Sequence, residues 1–180
     1  MTDTDPFEAF VRRYQDMVFA TAVRLLRSPV EAEDVAQTVF LRAFQRFDQI
    51  GSSPAAAGWL KAVTRNACLN HLSRYRSRWR FFSELGREGD SSARATDELG
   101  FVAAGSPAAD VEREDQRDRV TRALHQLPDQ QRVPLVLFHF EDMSYLDIAA
   151  LLGVSLGKVK TDIHRGREAL KGLLADYEPD

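Results

Sequence analysis

The chain carries a single cysteine, Cys68, in 180 residues. A lone thiol closes no internal disulfide and supports no paired-cysteine zinc site. His71, His125, His139 and His164 have no metal-ligand spacing with one another or with Cys68, so no metal is expected. Phosphate-cradling glycine loops and nucleophile elbows are missing too. The carboxylates show no sign of a buried pair, so neither an active site nor a cofactor is expected. No run of about 18 apolar residues occurs, which leaves no candidate membrane span. The opening MTDTDPFEAF is acidic and lacks the basic-then-apolar order of a secretory leader. A soluble, cytoplasmic, non-enzymatic protein is the expectation.

What is present is helix-forming and unevenly charged. The formal net charge of −3 hides a segregation along the chain. Between Lys61 and Arg80 every formal charge is positive: Lys61, Arg65, Arg74, Arg76, Arg78 and Arg80. From Glu88 to Asp118 nine acids are offset only by Arg94, Arg113 and Arg117. Local field governs binding more than the total does.

Apolar residues recur at three- and four-residue steps from Phe7 through Tyr14 and Val18 to Leu26, which predicts a helix. Ser28-Pro29-Val30-Glu31 marks a second helix start: serine caps, proline suits the first position, and glutamate can complete a capping box. Its stripe is Ala32, Val35, Ala36, Val39, Phe40, Ala43, Phe44 and Phe47. Asp48 to Pro54 (DQIGSSP) reads as a turn-rich connector. A third helix runs from there into the arginine cluster, burying Trp59, Leu60, Val63 and Ala67. Residues 86–110 are rich in Gly, Ser, Ala, Asp and Glu, and read as an acidic, flexible linker. The linker is compatible with a compact or an extended arrangement of what it joins. Helical periodicity then returns in Val120 to Leu127, in Leu135 to Phe140 (with Pro134 expected to bend that helix), and in two further helices flanking Gly153-Val154-Ser155. The expected fold is all-α, with two small helical domains over 1–85 and 111–180.

Three segments carry candidate chemistry. In Ser144 to Leu170, Gly153 permits the tight turn between two crossing helices, and Leu156, Val159, Ile163 and Leu170 share one face of the second. Lys158, Thr161, Asp162 and Arg165 fall opposite, the form of a helix that enters a major groove. The alternative is a helical hairpin with a solvated charged face. In WLKAVTRNACLNHLSRYRSRWRFF, Trp59 to Phe82, the cations Lys61, Arg65, His71, Arg74, Arg76, Arg78 and Arg80 can track phosphates. Tyr75, Trp79, Phe81 and Phe82 can stack on unpaired bases, as can Trp59 unless it is core; Asn66 and Asn70 can bond base edges. Third, Glu31, Glu33, Asp34 and Gln37 give an acidic, amide-bearing face, which taken alone is a solvated surface.

These segments together resemble the extracytoplasmic-function group of the sigma-70 family. The likeness rests on AEDVAQTVFLRAF, WLKAVTRNACLNHL with its arginines, LPDQQRVPLVLFHFEDMSYLDIA and VKTDIHRGRE, in that order. The resemblance implies a promoter-specificity subunit of RNA polymerase. Glu31, Glu33, Asp34 and Gln37 would dock on the coiled coil of the β′ subunit. Trp59, Lys61, Arg65, Asn66, Asn70, His71, Arg74 and Arg76 would recognise and open the −10 element. Lys158, Lys160, Thr161, Asp162, His164, Arg165 and Arg167 would read the −35 element, with the rear domain on the β flap. The acidic linker would thread towards the active centre, and an anti-sigma protein would hold the chain inactive. The family often has arginine where Asp162 stands; a carboxylate there can accept from cytosine N4 or neutralise a neighbouring cation. A one-component DNA-binding regulator and a helical adaptor are the competing readings. The first should bind duplex DNA alone, and the second should bind none.

Overall fold

The computed structural model describes residues 5–72 and 107–176, with side chains in the second stretch from Arg113 onward. The described residues form helices and turns and no strand. The acidic stretch from 86 to 106 lies outside them, as do Arg74, Arg76 and the aromatic residues from Tyr75 to Phe82.

The front half is a packed set of helices. Helix α1 (Pro6–Leu26) starts where Asp5 accepts a hydrogen bond from Phe7 N and Pro6 fills a position that needs no donor. It stops at Arg27, whose φ of 66° is left-handed and whose N–H returns to the Val23 carbonyl. Ser28 then caps α2 (Pro29–Gln45) by accepting from Glu31 N, forming the serine arm of the expected box. The connector is more ordered than its composition suggests: Phe47–Ile50 forms one helical turn, α3, ahead of the turn into α4 (Ala56–His71). Leu25 from α1, Val35 and Val39 from α2, and Leu60 and Leu69 from α4 are buried in the core of this half. At one end Phe7 meets Phe44 and Phe47 edge-on at 5.0 and 5.2 Å, and Phe10 meets Tyr14 at 4.9 Å. Phe44 departs from the expected buried stripe. It touches Phe7 yet stays 60% exposed, while the adjacent Ala43 is fully buried.

The rear half contains α5 (Pro107–Gln126), α6 (Asp129–His139), α7 (Tyr145–Leu152) and α8 (Leu156–Ala175). Helix α5 begins at Pro107, inside the stretch 86–110 expected to be linker. Pro134 lies inside α6 as anticipated, and removes one backbone donor there. The α7–α8 pair has the predicted helix–turn–helix outline. Ser144 and Ser155 cap the two helices by accepting from Asp147 N and Lys158 N. Gly153 takes a φ of 68° between them, a left-handed position that glycine occupies without a Cβ penalty. Ile148, Leu152, Val159 and Ile163 close the angle between the helices. At Gly166 α8 lies tight against α6: a Cβ there would lie 3.2 Å from the Gln131 carbonyl oxygen.

The halves pack against each other in a closed arrangement. The end of α1 faces α5 and α6, which reach its last carbonyls from outside the helix. His125 Nε2 donates to the Val23 oxygen at 2.8 Å, and Arg132 donates to the Leu25 oxygen at 2.9 Å. Arg132 is completely buried; it also donates to the Leu127 oxygen and pairs with Asp129.

Candidate nucleic-acid interface

The front half offers two surfaces. On α4, Asn66, Asn70 and His71 are exposed, and the four-residue step from Asn66 to Asn70 stacks the two amides on one side of the helix. Lys61 and Arg65 are half-buried, and Arg65 Nε is fully enclosed with no hydrogen-bond partner. Trp59 packs on the core while remaining half-exposed, so its ring serves structure and still reaches the surface. Cys68 is buried in α4, and burial pushes its thiol up to about 12, which makes it inert as a nucleophile.

On α2, Glu31, Glu33, Asp34 and Gln37 are all exposed. A groove of about 530 Å³ runs beside them between α1 and α2. Val11, Phe19, Ala36 and Phe40 supply its apolar lining, and Gln15, Asp16, Glu33 and Gln37 its polar lining. Leu41, 65% exposed, and Phe44 extend apolar surface further along α2. Reading the sequence for acids and amides missed this apolar component. Phe19 signalled it, as a large apolar residue outside the predicted stripe of α1, and Leu41 did the same on α2.

The rear half separates the predicted recognition residues into two groups. Lys160, Thr161, His164 and Arg165 are exposed on α8. Thr161 is partly committed, since its hydroxyl donates to the Gly157 oxygen. Asp162 does not share that open face: it is only 9% exposed and accepts a 2.6 Å hydrogen bond from Lys158 Nζ. A helical wheel puts Asp162 beside Arg165, but its short side chain turns inward and draws the longer, flexible lysine over itself. Burial raises the Asp162 carboxyl, and the bond and charge of Lys158 oppose that shift. Arg167 also turns away. Its Nε donates to His139 Nε2 at 3.0 Å, a terminal nitrogen lies 3.5 Å from the Tyr145 hydroxyl, and the guanidinium sits 5.4 Å from the centre of the Phe138 ring. His139 therefore presents a neutral, accepting Nε2. Burial, then the Arg167 cation, push its pKa down to about 4. Arg167 joins α8 to α6 and α7.

Among the described residues no group of His, Cys, Asp and Glu could hold a metal ion, and no helix is long and apolar enough to cross a membrane. Residues 10–79 match the family profile of Sigma-70 region 2, and residues 117–170 match that of Sigma-70, region 4. The chain is 31% identical to the ECF RNA polymerase sigma factor SigW of Bacillus subtilis, across 97% of this chain and 91% of that protein. The chain belongs to the sigma-70 family, in its ECF group. This sigma factor is also 34% identical to the ECF sigma factor SigE of Mycolicibacterium smegmatis, over 97% of its own length and 63% of that protein. In three dimensions it is similar to the sigma factor RpoE from Bartonella quintana, solved in complex with the anti-sigma factor NepR. That likeness has a TM-score of 0.51 and 25% identity, covering 96% of this chain and 98% of that one. Region 2 of the sigma factor thus contains α2 and α4, and region 4 contains α6, α7 and α8. The exposed α4 amides belong to one family region and the exposed α8 cations to the other.

Proposed function

We propose that this sigma factor docks on core RNA polymerase through α2, opens the −10 element with α4 and reads the −35 element with α8. The observation that carries the reading is the distribution of exposed side chains over the two family regions. Region 2 presents acids and amides beside an apolar groove on α2, with Asn66, Asn70 and His71 on α4. Region 4 presents Lys160, Thr161, His164 and Arg165 on a helix anchored from behind.

Each surface suits its task. A groove edged by Glu33 and Gln37 fits a helical partner with an apolar ridge flanked by cations, as the β′ coiled coil would supply. On α4, amides can bond the edges of unpaired bases while Lys61, Arg65 and the following Arg74 and Arg76 hold phosphates. Captured bases offset the few kcal/mol that unpairing costs, so opening needs no nucleotide hydrolysis. On α8, Lys160 and Arg165 reach phosphates or guanine edges, and Thr161 and His164 stand beside them. Asp162 acts indirectly by holding Lys158, and Arg167 acts by fixing the helix. Region 4 would also rest on the β flap. We place the protein in the cytoplasm under control of an anti-sigma factor, a reading supported by the similarity to a sigma factor crystallised with one.

The test is transcription in vitro from a library of promoter fragments, using core polymerase with and without the protein. Transcripts that require the protein and share two spaced elements are the expected result. Duplex DNA shifted by the protein alone, with no dependent transcripts, overturns it.

A further inference from the structure

We infer that Glu141 is a latch that holds regions 2 and 4 together and covers part of the α4 DNA face. Masking rests on the reading of α4 given above; the latch itself does not. Glu141 belongs to region 4, just past the end of α6, and the next residue, Asp142, takes a left-handed φ of 53°. Its side chain crosses into region 2, where Thr21 Oγ1 of α1 donates to Glu141 Oε1 at 2.9 Å. Both residues are buried, 120 positions apart in the chain.

The charges around the latch are complementary. Arg24 of α1 and Lys61 and Arg65 of α4 all act on the Glu141 carboxylate. Arg24 also lies over the Phe140 ring, 4.4 Å from its centre. Two of the cations assigned to promoter phosphate, Lys61 and Arg65, thus face a carboxylate of the same chain. A phosphate and Glu141 would compete for them.

The remaining contacts locate the latch at a helix end. His125 and Arg132 of region 4 bond the Val23 and Leu25 carbonyls, and Arg27 stands 3.8 Å from Asp129. The Arg132 cation at this helix C-terminus is favoured by the dipole as well as by the Leu25 carbonyl it bonds. Yet the closed form is imperfectly satisfied, because Arg65 Nε and Glu141 Oε2 are buried without hydrogen-bond partners. Unpaired buried atoms and polar contacts describe a junction that can separate. The α2 residues Glu33, Asp34 and Gln37 remain exposed in the closed form. Polymerase can therefore engage the closed protein before DNA does.

The experiment uses the full chain with nitroxide labels at Arg12→Cys and Glu168→Cys, both exposed sites on opposite sides of the junction. Cys68 is buried and unreactive, so it stays unlabelled. Pulsed dipolar spectroscopy should give one narrow distance distribution. Thr21→Glu, which opposes Glu141 with like charge, should broaden and lengthen it, while Thr21→Lys should keep it narrow. In parallel, anisotropy measures binding of fluorescent random-sequence single-stranded DNA at fixed salt. Thr21→Glu should bind about tenfold tighter if the closed form holds roughly nine molecules in ten. Its added negative charge alone would weaken binding, so the sign of the change is decisive.

A broad distribution in the unsubstituted protein overturns the latch and leaves the proposed function standing. Opening by Thr21→Glu without tighter DNA binding overturns masking. If no version binds single-stranded DNA, with or without core polymerase, the α4 reading fails and masking with it, while the distances still decide the latch. Should Thr21→Glu fail to fold, Thr21→Val with Glu141→Gln removes both latch groups without adding charge and is judged by the same two readouts.

Discussion

Region 2 and region 4 of this sigma factor solve the same problem, holding a helix so that one face stays free, by different means. In region 2 the helices are long and the holding is apolar: Leu25, Val35 and Leu60 are buried, and a ring cluster closes one end. Every acid and amide assigned to α2 is free to face outward. Region 4 alternates long helices with the shorter α6 and α7, and spends charged side chains on its own architecture. Arg132 is buried within it, Arg167 ties α8 to His139, and Lys158 is bonded to Asp162. A charged residue on α2 can be read as surface from its position in the stripe, whereas Lys61 and Arg65 on α4 are half-buried. In region 4 the same inference fails for three of the seven assigned recognition residues, Lys158, Asp162 and Arg167.

The contrast can be broken most forcefully at Arg132. Arg132→Ala removes a buried cation and strands Asp129 and two carbonyls, which should cost about 3–5 kcal/mol in urea unfolding. Leu60→Ala in region 2 should cost about 2–5 kcal/mol through lost burial and a cavity. If Arg132→Ala costs less than about 1 kcal/mol, region 4 is held by its apolar contacts and the distinction collapses.

A second test uses pH. His139 titrates at about 4 in the folded protein, against an ordinary value near 6.5 when unfolded. Between those values the unfolded chain takes up a proton that the folded chain refuses. Stability from this site is therefore complete above about 6.5 and falls as pH drops towards about 4. His125, also lowered by burial, acts in the same direction; Glu141 and Asp162, both raised by burial, act in the opposite one. Thermal melts from pH 7 to pH 5 should show a declining midpoint, and His139→Gln should flatten that decline. A decline of equal steepness in the variant would assign the proton uptake elsewhere.

Capping gives a smaller effect. Ser144→Ala and Ser155→Ala should each destabilise region 4 by about 1 kcal/mol in urea unfolding, because each removes an acceptor from a helix start. The finest test separates two arginines on one helix. Arg165→Ala should reduce the slope of log affinity against log salt for promoter DNA by about 0.9, the signature of one phosphate contact. It should leave the melting temperature unchanged. Arg167→Ala should lower the melting temperature instead. Identical behaviour of the two would show that the bond to His139 does not distinguish them.

The sequence made most of the fold legible, for reasons visible in particular residues. Ser28-Pro29, Ser144 and Gly153 punctuate helices through local backbone chemistry, and each sits where expected. Apolar periodicity located α1, α2 and α4 because one side of each is buried continuously. Phe44 departed from its stripe because burial depends on what the neighbouring helices place beside it, which no pattern within α2 records. Phe47–Ile50 formed a helical turn despite the turn-rich residues after it. Asp162 and Arg167 could not be sorted from their neighbours because a helical wheel fixes a Cβ direction, whereas the charged end bends towards whichever partner another helix offers. Glu141 was unreadable for the same reason, its partner Thr21 lying at the far end of the chain.

The close approach at Gly166 has a consequence for aim. The glycine lies near the middle of α8, with the Gln131 carbonyl directly behind it, and so acts as a fulcrum. Any side chain there would push the helix off α6 by a few tenths of an ångström. The exposed residues Lys160 and Thr161 lie on a lever arm running from that point, about 1.5 Å per residue. A tilt of the helix about that point would move their ends further than it moves the packed glycine. If α8 reads the −35 element as proposed, its aim depends on a position that faces α6 and has no side chain at all.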